Sequence, residues 1–389
     1  MISVAEALDH LFKLARPLGV ETVPLLQAHR RVLARDVAAT RNQPPFDGSA
    51  MDGYAVTEAA PGLRLRVIGE SAAGHGFYQP VKSGEAVRIF TGAPVPQGAK
   101  AVVIQEDVTR EGDWITLGDR LEDSTHIRPA GGDFKIGDTV GSGRVIGPND
   151  IALMASMNIA DVPVARRPVV ALISTGDELV MPGETPGPDQ IIASNTLGLH
   201  ALLRDLGAEP RLLPIARDNE ASLRTAFDLA KGADLIVTIG GASVGDHDVV
   251  ANLAPKLGFE QSFYKVAMRP GKPLMAGRFG EAMMIGLPGN PVSAMVCGHV
   301  FLAPVVRAML GLRAHATPRR TGVLADALPA NGPREHYMRA RMTDAGLVAF
   351  GSQDSSLLGI LGEADALIVR APKDAPRMAG ETVEYLPLR

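Results

Sequence analysis

The chain has 389 residues, more than a single hydrophobic core usually supports, so we expect two to four domains. Charged residues make up 21% of it and the net charge is only −4, so we expect neither nucleic acid nor a membrane as a partner. No apolar run is expected to be long enough to span a bilayer. The single cysteine, Cys297, cannot form an intrachain disulfide, and Glu6 and Asp9 make the N-terminus unlike a signal peptide, which together predict a cytoplasmic protein.

Helical periodicity is typical of the N-terminal part. Residues 3–15 place apolar side chains at helical spacing behind Ser3, a predicted N-cap. A second helix is predicted over 24–36 and a third over 148–161. We expect the third helix to fold back onto the first two. The resulting domain prediction is a helical part formed by 1–43 with 143–166, and an inserted β domain formed by 44–142.

Residues 62–142 indicate an all-β fold, because short apolar runs alternate with glycine-rich turns. Turns in this part, and the loop that precedes it, carry candidate functional groups. A non-functional alternative stays open for the loop, namely a solvated linker whose aspartates only form turns. The candidates are Asp52 in the loop 41–54, Thr91 in the proline-locked turn 90–96 and Asp133 at the end of the glycine turn 128–133.

From residue 167 onward strands and helices alternate, which predicts a doubly wound α/β domain over 167–316. Its third strand, 235–239, is rich in β-branched residues and runs into the stretch 240–248 (GGASVGDHD). A strand, a glycine turn and a helix in this order let backbone N–H groups approach an anion. The alternative is an ordinary glycine turn in which Asp248 only caps the helix.

Ligands of open α/β sheets bind beyond the carboxyl ends of the strands. Several polar groups follow different strands of the predicted sheet, and we expect them to converge there. Carboxylates beside an anion site indicate a bridging cation, most often Mg²⁺, although each acid by itself is more often a cap or turn residue. The converging groups are Glu178, Asp218, Ser243, Asp248 and the loop 287–290.

A basic segment, 265–273 (KVAMRPGKP), adds three cations beside a tight turn: Lys265, Arg269 and Lys272. A solvated basic loop would explain them, but beside acidic turns a phosphate clamp is the better interpretation. A long apolar helix is predicted next, over 291–310, with Asn290 as its cap.

Residues 317–389 indicate a small C-terminal β domain, either a barrel or a sandwich. The strand 337–342 would place Arg339 and Arg341 on one face, and Ser355 falls in a turn. The nine histidines show no metal-ligand spacing, so no structural zinc site is expected.

Six stretches, in order along essentially the whole chain, resemble the MoeA family of molybdopterin molybdenumtransferases, to which the molybdenum-insertion domain of gephyrin is related. The resemblance implies a multidomain α/β plus β subunit: the helical N-terminal part, the inserted β domain, a molybdopterin-binding α/β domain and a C-terminal β-barrel over 317–389. It also implies an elongated homodimer. The stretches are 46–54 (FDGSAMDGY), 91–94 (TGAP), 174–179 (STGDEL), 240–248 (GGASVGDHD), 269–273 (RPGKP) and 286–293 (GLPGNPVS).

The resemblance further implies an enzyme that inserts molybdate into adenylylated molybdopterin with Mg²⁺-dependent release of AMP. It assigns catalytic roles to six residues, the last three of which would also bind the metal: Asp52, Thr91, Asp133, Glu178, Asp218 and Asp248. The residues implied to hold molybdate or the pterin phosphate are Ser243, Lys265, Arg269, Lys272, Pro288, Pro291, Ser293, Arg339 and Ser355.

Arg269 departs from the family pattern, because many relatives have lysine there, and the two cations differ in geometry. Two other functions remain open: a molybdopterin adenylyltransferase, whose small single domains resemble only the α/β part, and a non-enzymatic scaffold like gephyrin. Contacts with the adenylyltransferase and with downstream cofactor carriers are expected. Molybdate and tungstate are nearly the same size, so the sequence leaves the choice between them open.

Overall fold

The computed structural model describes residues 1–241, 250 and 253–389. Its contacts divide the chain into two compact units. The large unit consists of Met1–Glu21, Arg30–Ala34 and Ala165–Arg389, and the small unit of Thr22–His29 and Arg35–Val164. The four-domain division stays a prediction, since this partition into two units does not test it.

The first helix, α1 (Val4–Leu14), confirms the helix expected over 3–15. Its N-terminus carries a capping box: the Ser3 hydroxyl accepts a hydrogen bond from the Glu6 N–H, and the Glu6 carboxylate accepts one from the Ser3 N–H at 2.8 Å. One face, which includes the fully buried Leu11, packs within the large unit.

The helix expected over 24–36 is wrong. A single 3₁₀ turn at Leu25–Gln27 is followed by Arg30, whose φ of 61° an α-helix of L-residues cannot accommodate. The Leu26 side chain is 91% exposed, so the apolar residues do not share one buried face. The remainder is extended: β1 (Val20–Pro24), β2 (Val32–Leu33) and β3 (Val37–Ala38).

The small unit is mainly β, as expected for 62–142. Its further strands are β4 (Gly48–Ser49), β5 (Gly53–Val56), β6 (Arg64–Ser71), β7 (Glu85–Ile89), β8 (Ala101–Ile104), β9 (Val108–Glu111), β10 (Trp114–Leu117), β11 (Ile127–Arg128), β12 (Thr139–Val140) and β13 (Arg144–Val145). Six of them form a sheet in the order β8-β5-β7-β6-β10-β9. Tyr54 and Val56 join the core on one face of this sheet and Ala55 the core on the other, which is the two-residue period of a strand.

The small unit ends with α2 (Pro148–Ser156) and most of β14 (Asp161–Ala165). Proline occupies the first position of α2, and the Asp150 carboxylate accepts a hydrogen bond from the Gly147 N–H at 2.8 Å. The helix expected over 148–161 is therefore confirmed, although it ends at Ser156. It packs against the 3₁₀ turn at Leu25–Gln27.

The α/β part of the large unit is built on one six-stranded sheet. Its elements are β15 (Val169–Ser174), β16 (Leu179–Val180), β17 (Ile191–Ile192), α3 (Asn195–Asp205), β18 (Glu209–Leu212), α4 (Glu220–Leu229), β19 (Leu235–Ile239), β20 (Phe259–Tyr264), β21 (Met268–Arg269), β22 (Met275–Phe279) and β23 (Ala282–Leu287). The sheet order is β18-β15-β19-β23-β22-β20, and β19 is buried along its whole length. The first four strands are parallel, β22 runs antiparallel to β23, and β20 runs antiparallel to β22 and therefore in the direction of the first four. The sheet is therefore mixed, because only a tight turn at Gly280 joins β22 to β23.

An apolar helical stretch follows, formed by α5 (Pro291–Cys297), a π-helical turn at Gly298–Leu302 and α6 (Ala303–Met309). Pro291–Met309 has 19 residues and a mean hydropathy of 1.6, enough to cross a membrane by length and composition, so the expectation that no apolar run has this length is wrong. Within the fold, 83% of this stretch is buried, as in the core helix of an α/β domain. Phe301 and Val305, for example, are fully enclosed in the main core of the large unit.

The part 317–389 is mainly β, as expected, and the strand expected over 337–342 is present. The elements are β24 (Arg320–Val323), β25 (Glu335–Thr343), β26 (Gly346–Ala349), α7 (Leu358–Glu363), β27 (Ala366–Arg370) and β28 (Thr382–Pro387). The sheet order is β21-β25-β27-β28-β24, with β26 beside β25. Strand β21 comes from the basic segment 265–273 and pairs in parallel with β25, which anchors that segment to the C-terminal sheet.

Candidate functional site

A cavity of about 690 Å³ lies at the carboxyl ends of the parallel strands β15, β19 and β23. The turns after these strands supply most of its lining, and the segment 191–195 closes one side. As expected, Glu178, Asp218 and residues of the loop 287–290, including Pro288, lie on this one cavity, together with Pro291. Their chemical roles stay predictions.

The turn after β19 can be built only from glycine. Gly240 has a φ of 93°, and a Cβ added there would lie 2.7 Å from the carbonyl oxygen of Thr175. Gly241, with a φ of 62°, also lines the cavity. The two glycines thus present bare backbone to the cavity. Ser243 and Asp248, further along the same stretch, lie outside the described residues.

The turn after β15 shapes the position of Glu178. Gly176 has a φ of 149°, and a Cβ there would overlap the Glu178 carboxylate, whose Cδ would be 2.7 Å away. Glu178 therefore folds back over a position whose backbone conformation favours glycine. The cavity wall holds two carboxylates, and no lysine or arginine is among its lining residues in the part of the chain that the structure describes.

Asn290 takes the N-cap position of α5, but its side chain does not cap the helix. Its Nδ2 donates instead to the Ser355 hydroxyl at 2.9 Å, and the Val292 N–H donates to the Ser355 carbonyl at 3.0 Å. The predicted residue Ser355 is thereby held at the start of α5, next to the cavity-lining Ser356. Ser293, one turn into α5, is buried with 4% of its surface exposed.

The three predicted cations of the basic segment do not line the described cavity, whereas Pro273 at the end of the segment does. The Lys265 ammonium lies 4.9 Å from the centroid of the Tyr264 ring. Arg269 and Lys272 are exposed. In the pairing of β21 with β25, Arg269 lies opposite His336. The phosphate clamp stays a prediction.

Positive charge accumulates where β21 meets the C-terminal sheet. Burial, followed by the nearby Arg269 and further arginines, lowers the pKa of His336 to about 4, so this imidazole is neutral at neutral pH. Arg370, buried on β27, is held by an ion pair with Asp374 at 2.5 Å.

Arg339 is enclosed rather than presented to a ligand, because only 1% of its surface is exposed. Its guanidinium donates to Gln353 and to the carbonyl oxygens of Leu357 and Ser352 at 3.3, 3.3 and 3.4 Å. Burial lowers the pKa of this guanidinium. Arg339 therefore organises the turn that carries Ser355, and its assignment to molybdate stays a prediction.

In the small unit, two predicted residues form one hydrogen-bonded group. Asp52 Oδ1 accepts from the Thr91 N–H at 2.7 Å and from the Thr91 hydroxyl at 2.8 Å. These hydrogen bonds, the backbone one first, lower the pKa of Asp52, and the Arg88 charge lowers it further. Arg88, which sequence reasoning missed, lies 4.6 Å from the Phe90 ring and donates to the Gly53 carbonyl.

The third predicted residue of the small unit, Asp133, is exposed, and its N–H donates to the Gln43 carbonyl at 2.9 Å. A second hydrogen bond joins the loop 42–49 to the glycine turn 128–133, because Asp47 Oδ1 accepts from the Ala130 N–H at 2.8 Å. The loop 42–49 thereby holds the glycine turn 128–133 in place.

A mixed α/β sheet with glycine turns and carboxylates around a cavity at its carboxyl edge has the arrangement of a ligand-binding α/β domain, here joined to two β parts. The chain belongs to the MoeA family. Family descriptions match three successive regions: "MoeA N-terminal region (domain I and II)" residues 2–158, "Probable molybdopterin binding domain" residues 171–308 and "MoeA C-terminal region (domain IV)" residues 321–388.

Similar proteins extend along the whole chain. A molybdopterin molybdenumtransferase from Haemophilus influenzae is 36% identical over 388 residues, covering 97% of this chain and 96% of that protein. Molybdopterin molybdenumtransferase 2 from Mycobacterium tuberculosis is 36% identical, covering 96% and 95%. The crystal structure of a molybdopterin biosynthesis MoeA protein from Pyrococcus horikosii superposes with a TM-score of 0.86 at 29% identity, covering 100% and 99%.

Proposed function

We propose that this chain is a molybdopterin molybdenumtransferase, an enzyme of molybdenum cofactor biosynthesis that inserts molybdenum into molybdopterin. The observation that carries the proposal is the cavity of about 690 Å³, which places Glu178 and Asp218 beside glycine turns inside the region that matches a molybdopterin-binding domain. Its size is in the range of small-molecule sites. The full-length similarity to proteins of this name supports it.

The substrates that we propose are adenylylated molybdopterin and molybdate, with AMP as a product. Cleavage of the phosphoanhydride requires anionic phosphates to approach a cavity whose described wall carries two carboxylates. The two sets of negative charge would repel unless a cation lay between them. This charge balance supports a Mg²⁺-dependent reaction.

The donor set fits Mg²⁺, which prefers oxygen ligands and usually takes only one or two protein carboxylates together with waters and phosphates. Glu178 and Asp218 would supply those carboxylates. Among the described residues no group of three or more His, Cys, Asp or Glu side chains could cage a metal, so a fully protein-coordinated ion does not suit this part of the chain. When bound, Mg²⁺ would neutralise charge on the phosphates.

The chain's own groups would orient the substrates. Gly240 and Gly241 let a phosphate approach the backbone more closely than side chains would permit. Molybdate is a tetrahedral dianion that needs hydrogen-bond donors. The Ser355 hydroxyl accepts from Asn290, which leaves its own O–H to donate to an oxyanion, and Arg269 and Lys272 would add charge.

Family membership also supports a homodimer in the cytoplasm and contacts with the molybdopterin adenylyltransferase and with cofactor carriers. A homodimer would have twice the chain mass of 40.9 kDa in light scattering. We also propose that the C-terminal strands close into a barrel. The bridge between Leu324 and Leu347, with a hydrogen bond from the Ala325 N–H to the Leu347 carbonyl at 3.0 Å, brings β24 beside β26 and supports closure.

The decisive assay offers adenylylated molybdopterin to the purified protein and measures AMP. We expect release of AMP that requires both molybdate and Mg²⁺. Asp218→Asn, which keeps the side-chain shape but removes the charge, should lower the rate, whereas the exposed helix variant Arg224→Ala should not. Consumption of ATP with unmodified molybdopterin would instead identify an adenylyltransferase. If the protein catalysed neither reaction, the scaffold function would be the remaining alternative.

A further inference from the structure

Arg217 fastens the turn that carries Glu178 to the segment that carries Asp218. Its Nη1 donates to three carbonyl oxygens of that turn, those of Gly176, Asp177 and Leu179, at 3.3, 3.0 and 3.1 Å. Sequence reasoning did not select Arg217. A guanidinium suits this place because its charge and its planar, fixed geometry let the two N–H groups of one nitrogen be shared among neighbouring carbonyls.

Asp177 makes the return connection. Its Oδ1 accepts a hydrogen bond from the Asp218 N–H at 3.1 Å. The Arg217 N–H in turn donates to the Ser222 hydroxyl at 2.9 Å, which fixes the segment to the first turn of α4. The two turns are therefore joined in both directions, by the Arg217 side chain and by the Asp177 side chain.

Neither Arg217 nor Asp177 is among the residues that line the described cavity, whereas Glu178 and Asp218, each one position further along the chain, are. The connecting side chains thus lie outside the cavity and the carboxylates lie on its wall. Hydrogen bonds with one charged partner are roughly twice as strong as neutral ones, so this pair resists relative movement of the two turns.

We propose that Arg217 and Asp177 are positioning residues, which hold the Glu178 and Asp218 carboxylates at a fixed separation on the cavity wall. The inference rests on the proposed function, because it assumes that these carboxylates serve the same reaction. Partners of this kind around a metal site typically contribute roughly 10–100-fold in metal affinity or activity.

The test compares Asp177→Ala, Asp177→Asn and Arg217→Lys with Arg224→Ala, an exposed α4 control whose ion pair with Glu220 lies elsewhere. Three quantities are measured: kcat for AMP release, the Mn²⁺ concentration that half-saturates the substrate-free protein by electron paramagnetic resonance, and the thermal midpoint. Asp177→Asn keeps an oxygen that accepts from the Asp218 N–H. Arg217→Lys keeps the charge but replaces the planar guanidinium with an ammonium on a shorter, flexible side chain.

We expect Asp177→Ala and Arg217→Lys to lower kcat and weaken Mn²⁺ binding by roughly 10–100-fold, with thermal midpoints close to that of the wild type. Arg224→Ala should match the wild type in all three quantities, and Asp177→Asn, whose oxygen still accepts but carries no charge, should be clearly less impaired than Asp177→Ala. Wild-type kcat and Mn²⁺ binding in Asp177→Ala would overturn the proposal, as would an Asp177→Asn protein as impaired as Asp177→Ala. If Arg217→Lys does not fold, the two Asp177 variants decide. Failure of the proposed function is distinct, because the wild type itself would then release no AMP.

Discussion

Replacement of Gly176 by alanine tests whether the turn after β15 sets the position of the Glu178 carboxylate. The φ of 149° at Gly176 costs any other residue about 1–3 kcal/mol. The added Cβ would also lie 2.7 Å from Glu178 Cδ, well inside van der Waals contact, so the carboxylate must move. A displacement of about 1 Å in a catalytic group can lower the rate by roughly 10²-fold. We therefore expect a loss of about 1–3 kcal/mol in the free energy of unfolding, and a kcat lower by roughly 10²-fold.

Gly232→Ala is the matched control. Gly232 has a φ of 79°, but no heavy atom lies within 4 Å of an added Cβ. This variant carries only the backbone cost, about 1–2 kcal/mol, and lies away from the cavity-lining residues. Urea unfolding and AMP release, measured on both variants, separate lost stability from a misplaced carboxylate.

A double-mutant cycle sharpens the comparison. The Glu178→Ala side chain lacks every atom that the new Cβ would meet, so Gly176→Ala should cost less stability in that background than in the wild type. Equal costs in both backgrounds would refute the proposed overlap. Wild-type kcat in Gly176→Ala, or an equally low kcat in Gly232→Ala, would refute the link between this turn and activity.

Two further predictions concern the other predicted residues. Thr91→Val removes the hydroxyl that donates to Asp52, so the pKa of Asp52 should rise towards its ordinary value of 3.8, as measured by NMR titration. Because the pKa of Asp52 is lower in the folded state, its ionised carboxylate stabilises the fold fully above the unfolded-state pKa, and this stabilisation is lost as the pH falls through the folded-state pKa. The wild type and Thr91→Val should therefore become equally stable below that pH. A stability difference that persisted there would contradict the assignment. Arg339→Ala leaves buried acceptors near Gln353 without a donor, so we expect the free energy of unfolding to fall by about 1–3 kcal/mol in urea. If Arg339 also binds molybdate, Arg339→Ala should raise the molybdate concentration needed for half-maximal AMP release. An unchanged free energy of unfolding in this variant would show that the hydrogen bonds of Arg339 do not stabilise the fold.

Local patterns in the sequence were sufficient for most elements. The capping box at Ser3 and Glu6 involves residues three apart, so it can be read without tertiary contacts. The run Leu235–Ile239 was identified as a strand because continuous β-branched residues suit burial on both faces, and it is buried throughout. The placement of Glu178 and Asp218 on one cavity was predicted because the carboxyl ends of parallel strands meet at the same edge of the sheet.

Patterns failed where the deciding contact is distant along the chain. Residues 24–36 have helical spacing, but the left-handed Arg30 and the exposed Leu26 show that no common core face exists for a helix to bury. Arg339 was expected to meet an oxyanion, yet its guanidinium is occupied by the turn 352–357. Nothing in a basic residue's neighbours along the chain distinguishes an exposed arginine from one enclosed by a later turn.

The sequence by itself determined which chemical groups this protein places at the carboxyl edge of its sheet, since strand ends, glycine turns and acids are local features. Tertiary structure alone decided how those groups are held. Asp177 lies 41 residues from its partner Asp218, and Arg217 lies 40 residues from its partner Asp177, on a different turn. Such hydrogen bonds depend on the relative placement of the turns after β15 and β18, which backbone pairing between these two strands establishes and which no short stretch of sequence encodes.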